Sequence, residues 1–193
     1  MQKRNRIILL VILSIVVLGE LFYITSKSDN IDSVESRQSE NSVNCSKDDF
    51  EMNLYTDKKE YKTTDKINMW GTIKYVGKKD KITIYHAGSV NSDTYIYYSI
   101  DNGENFHINS VSNMMGKTTL LTKDKLYHFD YQKSGSWDPN GPDAKFWEDF
   151  YKEKDLYLPK GEYTITAESA FSLTDFSSKA IDLKCILKIK VVD

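Results

Sequence analysis

The sequence predicts an all-β protein, an antiparallel sandwich with a short helical insertion, preceded by an N-terminal transmembrane helix. Three observations carry that prediction. Eight or so short runs rich in Tyr, Ile, Thr, Val and Phe alternate with polar residues, the period of a half-buried strand. Turn residues separate the runs, and no long helical pattern competes with them. An apolar stretch starts at Ile7, directly behind Lys3, Arg4 and Arg6, which is the layout of a membrane-targeting segment.

The leading element is residues 1–24. Its apolar run spans Ile7 to Leu18 and resumes at Leu21 to Ile24 after Gly19 and Glu20. Read through, that is roughly 27 Å of helix at about 1.5 Å per residue, close to a hydrocarbon core of about 30 Å. Phe22 and Tyr23 suit the interfacial belt, and Glu20 lies within a turn of the outer end. Gly19-Glu20-Leu21 is not an Ala-x-Ala-like cleavage site, and Cys45 is too distant for lipoprotein modification. We read a retained signal anchor, with a cleaved leader and a secreted product as the alternative. The basic residues precede the span, so the N-terminus faces the cytoplasm and the rest is extracytoplasmic in a single-pass arrangement.

Residues 25–44 follow as a polar stalk. They are rich in Ser, Asn, Asp and Glu, with Ile31 and Val34 as isolated apolar residues before the last few positions. Such a stretch buries too little to offset its ordering entropy. Residues 45–193 then form one domain by size. Without Lys3, Arg4, Arg6 and Glu20, the chain's 26 basic and 28 acidic residues become 23 and 27, a formal −4. No basic block is present, which argues against nucleic acid as a partner.

Within the domain, Phe50, Met52 and Leu54 alternate along a first strand. Ile67, Met69, Gly71, Ile73 and Tyr75 alternate along a second, and Ile82 and Ile84 share a face of a third. Tyr95 to Ile100 reads as a fourth, with Tyr95 and Tyr97 on one face and Tyr98 on the other. Asp101-Asn102-Gly103 turns the chain into a fifth at Phe106 to Val111. Leu120-Leu121 and Leu126 to Tyr131 suggest further strand. Tyr163, Ile165 and Ala167 alternate in the next, and Ile186 to Val191 closes the chain.

The rhythm breaks at the loop Ser134 to Asp143. Residues 144–154 then place Phe146, Trp147, Phe150 and Tyr151 on one helical face, with Asp143 as the expected N-cap. Beyond it, Leu158-Pro159-x-Gly161-x-Tyr163 has the pattern of a tyrosine corner, whose hydroxyl bonds to upstream backbone.

That motif, extended to Leu158-Pro-x-Gly-x-Tyr163-Thr-Ile-Thr-Ala167, and Tyr61-x-x-x-Asp65-x-Ile67 resemble bacterial immunoglobulin-like sandwiches. More loosely, they are similar to the intracellular proteinase inhibitor family of bacilli. The resemblance covers most of residues 50–192 and implies an immunoglobulin-like fold. The membrane segment, the stalk and the insertion around Trp137 to Lys154 depart from the inhibitor family, so no inhibitory loop is assigned.

The two cysteines, Cys45 and Cys185, lie before the first strand and in the last. An exported chain with an even count favours one disulfide between them, and two free thiols are the alternative. His86, His107 and His128 fall in separate strands without ligand spacing, so no metal or cofactor is expected. The Asp/Asn-rich runs at 101–105 and 138–143 read as turns rather than calcium loops. Ser134 and Ser136 have no nearby histidine in sequence, and no catalytic motif is present.

Aromatic residues give the functional lead. Trp137, Phe146, Trp147, Phe150, Tyr151 and Tyr157 fall within one short stretch. Either they seal an end of the sandwich, or some stay exposed as a patch for a protein or glycan partner. The contact residues on the second reading are Trp137, Phe146, Trp147 and Tyr151. The expectation is a membrane-anchored extracytoplasmic binding module without catalytic activity. A surface-displayed protease inhibitor is the alternative.

Overall fold

Period-two alternation places the strands, and their pairing collects them into two sheets. The computed structural model describes residues 38–88, 93–110 and 115–193. The anchor at 1–24 and the stalk up to residue 37 lie outside the described residues. Among those described, no helix is long and apolar enough to cross a membrane.

In chain order the strands are β1 (Asn41–Lys47), β2 (Phe50–Thr56), β3 (Glu60–Lys62), β4 (Met69–Tyr75), β5 (Lys81–Gly88) and β6 (Tyr97–Asp101). They continue with β7 (His107–Asn109), β8 (Met115–Thr122), β9 (Leu126–Asp130), β10 (Gly161–Ser172) and β11 (Ile181–Val192). A helix, α1 (Ala144–Lys152), sits between β9 and β10. One sheet has the order β1-β2-β4-β9. The other runs β3-β11-β10, continues through β6 to β7, and pairs the far end of β10 with β5 and then β8.

The inward faces meet in a single core. Phe50, Met52 and Leu54 of β2 and Ile73 of β4 are buried together with Ile165 of β10 and Leu187 and Ile189 of β11. Phe50 meets Phe171 of the other sheet edge-on, 4.7 Å between ring centres. A two-layer sandwich follows directly, because each sheet has one apolar face to hide.

Four expectations need correction. The pairing is not wholly antiparallel: β3 runs parallel to β11, with Tyr61 opposite Val191. Three residues flanked by turn-like Asp57 to Lys59 carry no periodic signal, and the partner lies more than a hundred residues away. Ordered strand also begins at Asn41, inside the stretch read as stalk, so Cys45 sits within a strand rather than before one. Pairing with β2, Cys45 opposite Met52, supplies the order that its polar sequence does not advertise. Tyr95 precedes β6 and is buried beside Ile96, so it does not share a face with the half-exposed Tyr97.

The fourth concerns α1. It ends at Lys152, and the Asp143 side chain makes no capping hydrogen bond, the start being closed by Trp147 N–H donating to the Asp143 carbonyl at 3.1 Å. Its far end is held instead by Lys133. The Lys133 ammonium donates to the carbonyls of Phe150 (2.6 Å) and Asp155 (2.8 Å) and lies 4.3 Å from the centre of the Phe150 ring. A cation at a helix C-terminus satisfies orphan carbonyls and opposes the dipole there.

Both sequence motifs have structural roles. The Tyr163 hydroxyl donates to the Pro159 carbonyl at 2.9 Å, the bond of a tyrosine corner. The Tyr61 hydroxyl donates to Asp57 at 2.6 Å and accepts from Lys58 N–H, while Asp65 accepts from the Lys58 ammonium and Lys62 N–H. Together these clasp the loop that precedes β4.

Candidate functional site

Phe106, at the mouth of the β6–β7 hairpin, organises the site. The turn before it is set by Asn102, whose side-chain carbonyl accepts from Glu104 and Phe106 N–H, with Gly103 at φ 76°. Glycine takes that left-handed conformation at no steric cost. Buried Phe106 then touches Phe150 (5.6 Å), Trp147 (5.4 Å), Phe146 (6.4 Å) and the corner residue Tyr163 (5.5 Å).

This cluster divides the aromatic residues between the two sequence readings. Phe150 is 8% exposed and seals the sandwich. Phe146, at 43%, and Trp137, at 37%, stand out in solvent, with Trp147 and Tyr151 half-buried between them. Trp137 stacks on Tyr151 at 5.7 Å with a 13° tilt, and Tyr151 is in turn near-parallel to Trp147. A Cβ at Gly135 would collide with the Tyr151 phenol, so the close backbone approach there fixes the ring. The result is a continuous ledge of rings: Trp137, Tyr151, Trp147, Phe146.

Two clefts flank the ledge. One, about 290 Å³, lies between Trp137, Tyr151 and Trp147 and is rimmed by Asp138, Asp143, Ser136 and His107. The other, about 470 Å³, lies between Trp147, Phe146 and Phe106, with Glu104, Asp143 and Lys160 at its edge. Trp147 and Asp143 belong to both.

The polar groups here include three carboxylates, Asp138, Asp143 and Glu104. Lys160 is paired with Asp193. His107 donates from Nδ1 to Asp101 at 2.7 Å, and its Nε2 accepts from the Asn109 amide at 2.8 Å. The Gly103 N–H, and then His107, hold the Asp101 carboxyl below the usual range. Ser136 shares the cleft with this imidazole, an adjacency created by folding that the sequence did not reveal. Their side chains are not hydrogen-bonded, and Nε2 is turned to Asn109.

The three histidines stay apart. His86, 3% exposed, donates from Nδ1 to the Ala87 carbonyl (2.7 Å) and accepts from the Thr119 hydroxyl at Nε2 (2.9 Å); burial pushes its pKa down. His128 lies against Trp70 and donates to Asp130 at 2.9 Å. Among the described residues no group of three or more His, Cys, Asp or Glu could hold a metal ion. Cys45 and Cys185 are joined in a disulfide with Cα atoms 5.5 Å apart, linking β1 of one sheet to β11 of the other.

No family model matches the chain, and no curated protein matches its sequence. Five solved chains match it. One is Spo0M, the sporulation control protein of Bacillus subtilis, at 12% identity and TM-score 0.38, covering 76% of this chain and 51% of that one. Another is the β-glucosidase EmGH1 of Erythrobacter marinus, at 14% identity and TM-score 0.35, covering 77% of this chain and 16% of the enzyme. The chain thus spans about half the length of Spo0M. Neither likeness assigns a residue role, and the β-rich fold stands on the strand pairing itself.

Proposed function

We propose that this chain is a membrane-anchored, extracytoplasmic binding module with an immunoglobulin-like sandwich and no catalytic activity. Its contact surface is the ledge of Trp137, Phe146, Trp147 and Tyr151, which meets a protein or glycan partner outside the cytoplasm. The observation that carries this reading is the exposure of Trp137 and Phe146 on elements whose other contacts are fixed. Large rings held out in water by a rigid support are suited to binding, since ordering them again costs little. The apolar leader behind Lys3, Arg4 and Arg6 supports an extracytoplasmic address, and the disulfide agrees with an oxidising compartment.

The test is photo-crosslinking on intact cells with a reactive side chain in place of the exposed Lys145, next to Phe146. A cell-envelope neighbour, captured by the parent protein and lost in the Trp137→Ala, Trp147→Ala double variant, supports the reading. Capture that persists in the double variant removes the ledge as the contact surface. Inhibition of secreted proteases at micromolar protein would favour the inhibitor alternative instead.

A further inference from the structure

We infer that the groove across the aromatic ledge binds a glycan chain whose sugars carry free amino groups. This rests on the binding-module reading and names its ligand. The two clefts share Trp147 and Asp143, so they form one path over the start of α1. Their combined space falls within the roughly 300–1,000 Å³ of small-ligand sites. A flat protein interface, at about 800 Å² a side, is a different shape of surface.

The floor of the path is aromatic. Trp137 uses one face against Tyr151 and is more than a third exposed, and Phe146 is exposed at the opposite end. Tyr151 is stacked between Trp137 and Trp147, so the exposed Trp137 and Phe146 rings at the two ends are the platforms for the apolar C–H faces of sugar rings. The rim is acidic: Asp138, Asp143 and Glu104 line the path, while Lys160 is neutralised by Asp193. Asp143 is the informative member. It stands at the N-cap position yet makes no side-chain capping bond, and it lines both clefts. Carboxylates beside Trp and Tyr faces favour an ammonium group through charge pairing and cation–π attraction. A neutral sugar would gain the stacking alone.

Calorimetry on the full-length chain in detergent micelles tests this with β-1,4-linked hexamers of glucosamine, N-acetylglucosamine and glucose, and with oligolysine. The expected result is tightest binding to the glucosamine hexamer, about tenfold or more over the glucose hexamer, weakening as salt rises. Asp138→Asn with Asp143→Asn should abolish that preference and leave the glucose hexamer unchanged. Trp147→Ala should weaken both hexamers, with the more exposed Trp137→Ala as a second variant should the first misfold. Equal binding of the three hexamers, equal binding of oligolysine, or no hexamer binding at all overturns the proposal. If no sugar binds while position 145 still crosslinks to a protein neighbour, the ligand class is wrong and the binding module stands. Loss of both results removes both.

Discussion

The Tyr98 phenol crosses the core from β6 and donates to the Phe129 carbonyl of the opposite sheet at 2.8 Å. The ring reaches β9 over Gly71, where a Cβ would lie 2.9 Å from both the Tyr98 oxygen and Ile96 Cδ1. A glycine in the middle of a central strand is thereby explained: it leaves space for a side chain that ties the two sheets together. Tyr98→Phe should destabilise the protein by about 0.5–1.5 kcal/mol, the net worth of one hydrogen bond. Gly71→Ala should cost about 1–3 kcal/mol through overpacking. Urea midpoints at unchanged slope report both, and losses under about 0.5 kcal/mol in both variants would contradict this packing.

The Cys45–Cys185 bond closes a loop with a sequence separation of 140. On the chain-entropy model such a closure contributes about 5 kcal/mol. Replacing both cysteines with serine, or adding reductant, should therefore shift the denaturation midpoint strongly downward. A reductant-insensitive midpoint would show that the bond does not form.

Acid and alkali should each destabilise the fold through identifiable groups. Burial lowers the His86 pKa below its ordinary value of 6.5, so the unfolded chain takes up a proton first as pH falls. The contribution of His86 is complete above about pH 6.5 and is lost as pH drops from there through its folded value. His86→Gln should flatten that limb of the stability–pH curve; an unchanged slope would assign it to other groups.

At high pH the sign reverses. Burial raises the pKa values of Tyr95, Tyr98 and Tyr131, and burial with the Asp57 hydrogen bond raises that of Tyr61. Their stabilisation is present below the ordinary tyrosine value of about 10 and declines as pH rises toward the folded values. Absorbance titration should show these phenols ionising only on unfolding, and a smooth titration of all thirteen tyrosines near pH 10 in the folded state would contradict it.

Phe106 and Trp137 should behave oppositely. Phe106→Ala removes the ring on which α1 rests and should cost about 3–5 kcal/mol. Trp137→Ala truncates an exposed ring and should stay within about 1 kcal/mol of the parent while losing partner binding. Equal destabilisation would make the ledge a structural seal rather than a contact surface.

Strong period-two patterns made much of this fold legible in advance. Met52, Ile73, Ile165 and Ile189 announced their strands because each alternates with polar neighbours. The corner at Tyr163 and the aromatic face of α1 were legible too, since both depend on residues a few positions apart. What the sequence hid lies in polar or very short strands and in contacts between loops. Strand β1 is polar and is ordered by β2, and β3 has three residues whose partner is the last strand. The grip of Lys133 on α1 and the meeting of His107 with Trp137 arise only when loops far apart in sequence converge.

The binding role proposed for the ledge requires the globular part to reside outside the cytoplasm. A protease-cleavable tag fused after Asp193 and challenged with added protease on intact, wall-stripped cells measures this directly. Rapid removal of the tag, with a cytoplasmic control protein left whole, is the predicted result. Complete protection of the tag until the membrane is breached would place the sandwich inside the cell and contradict the account.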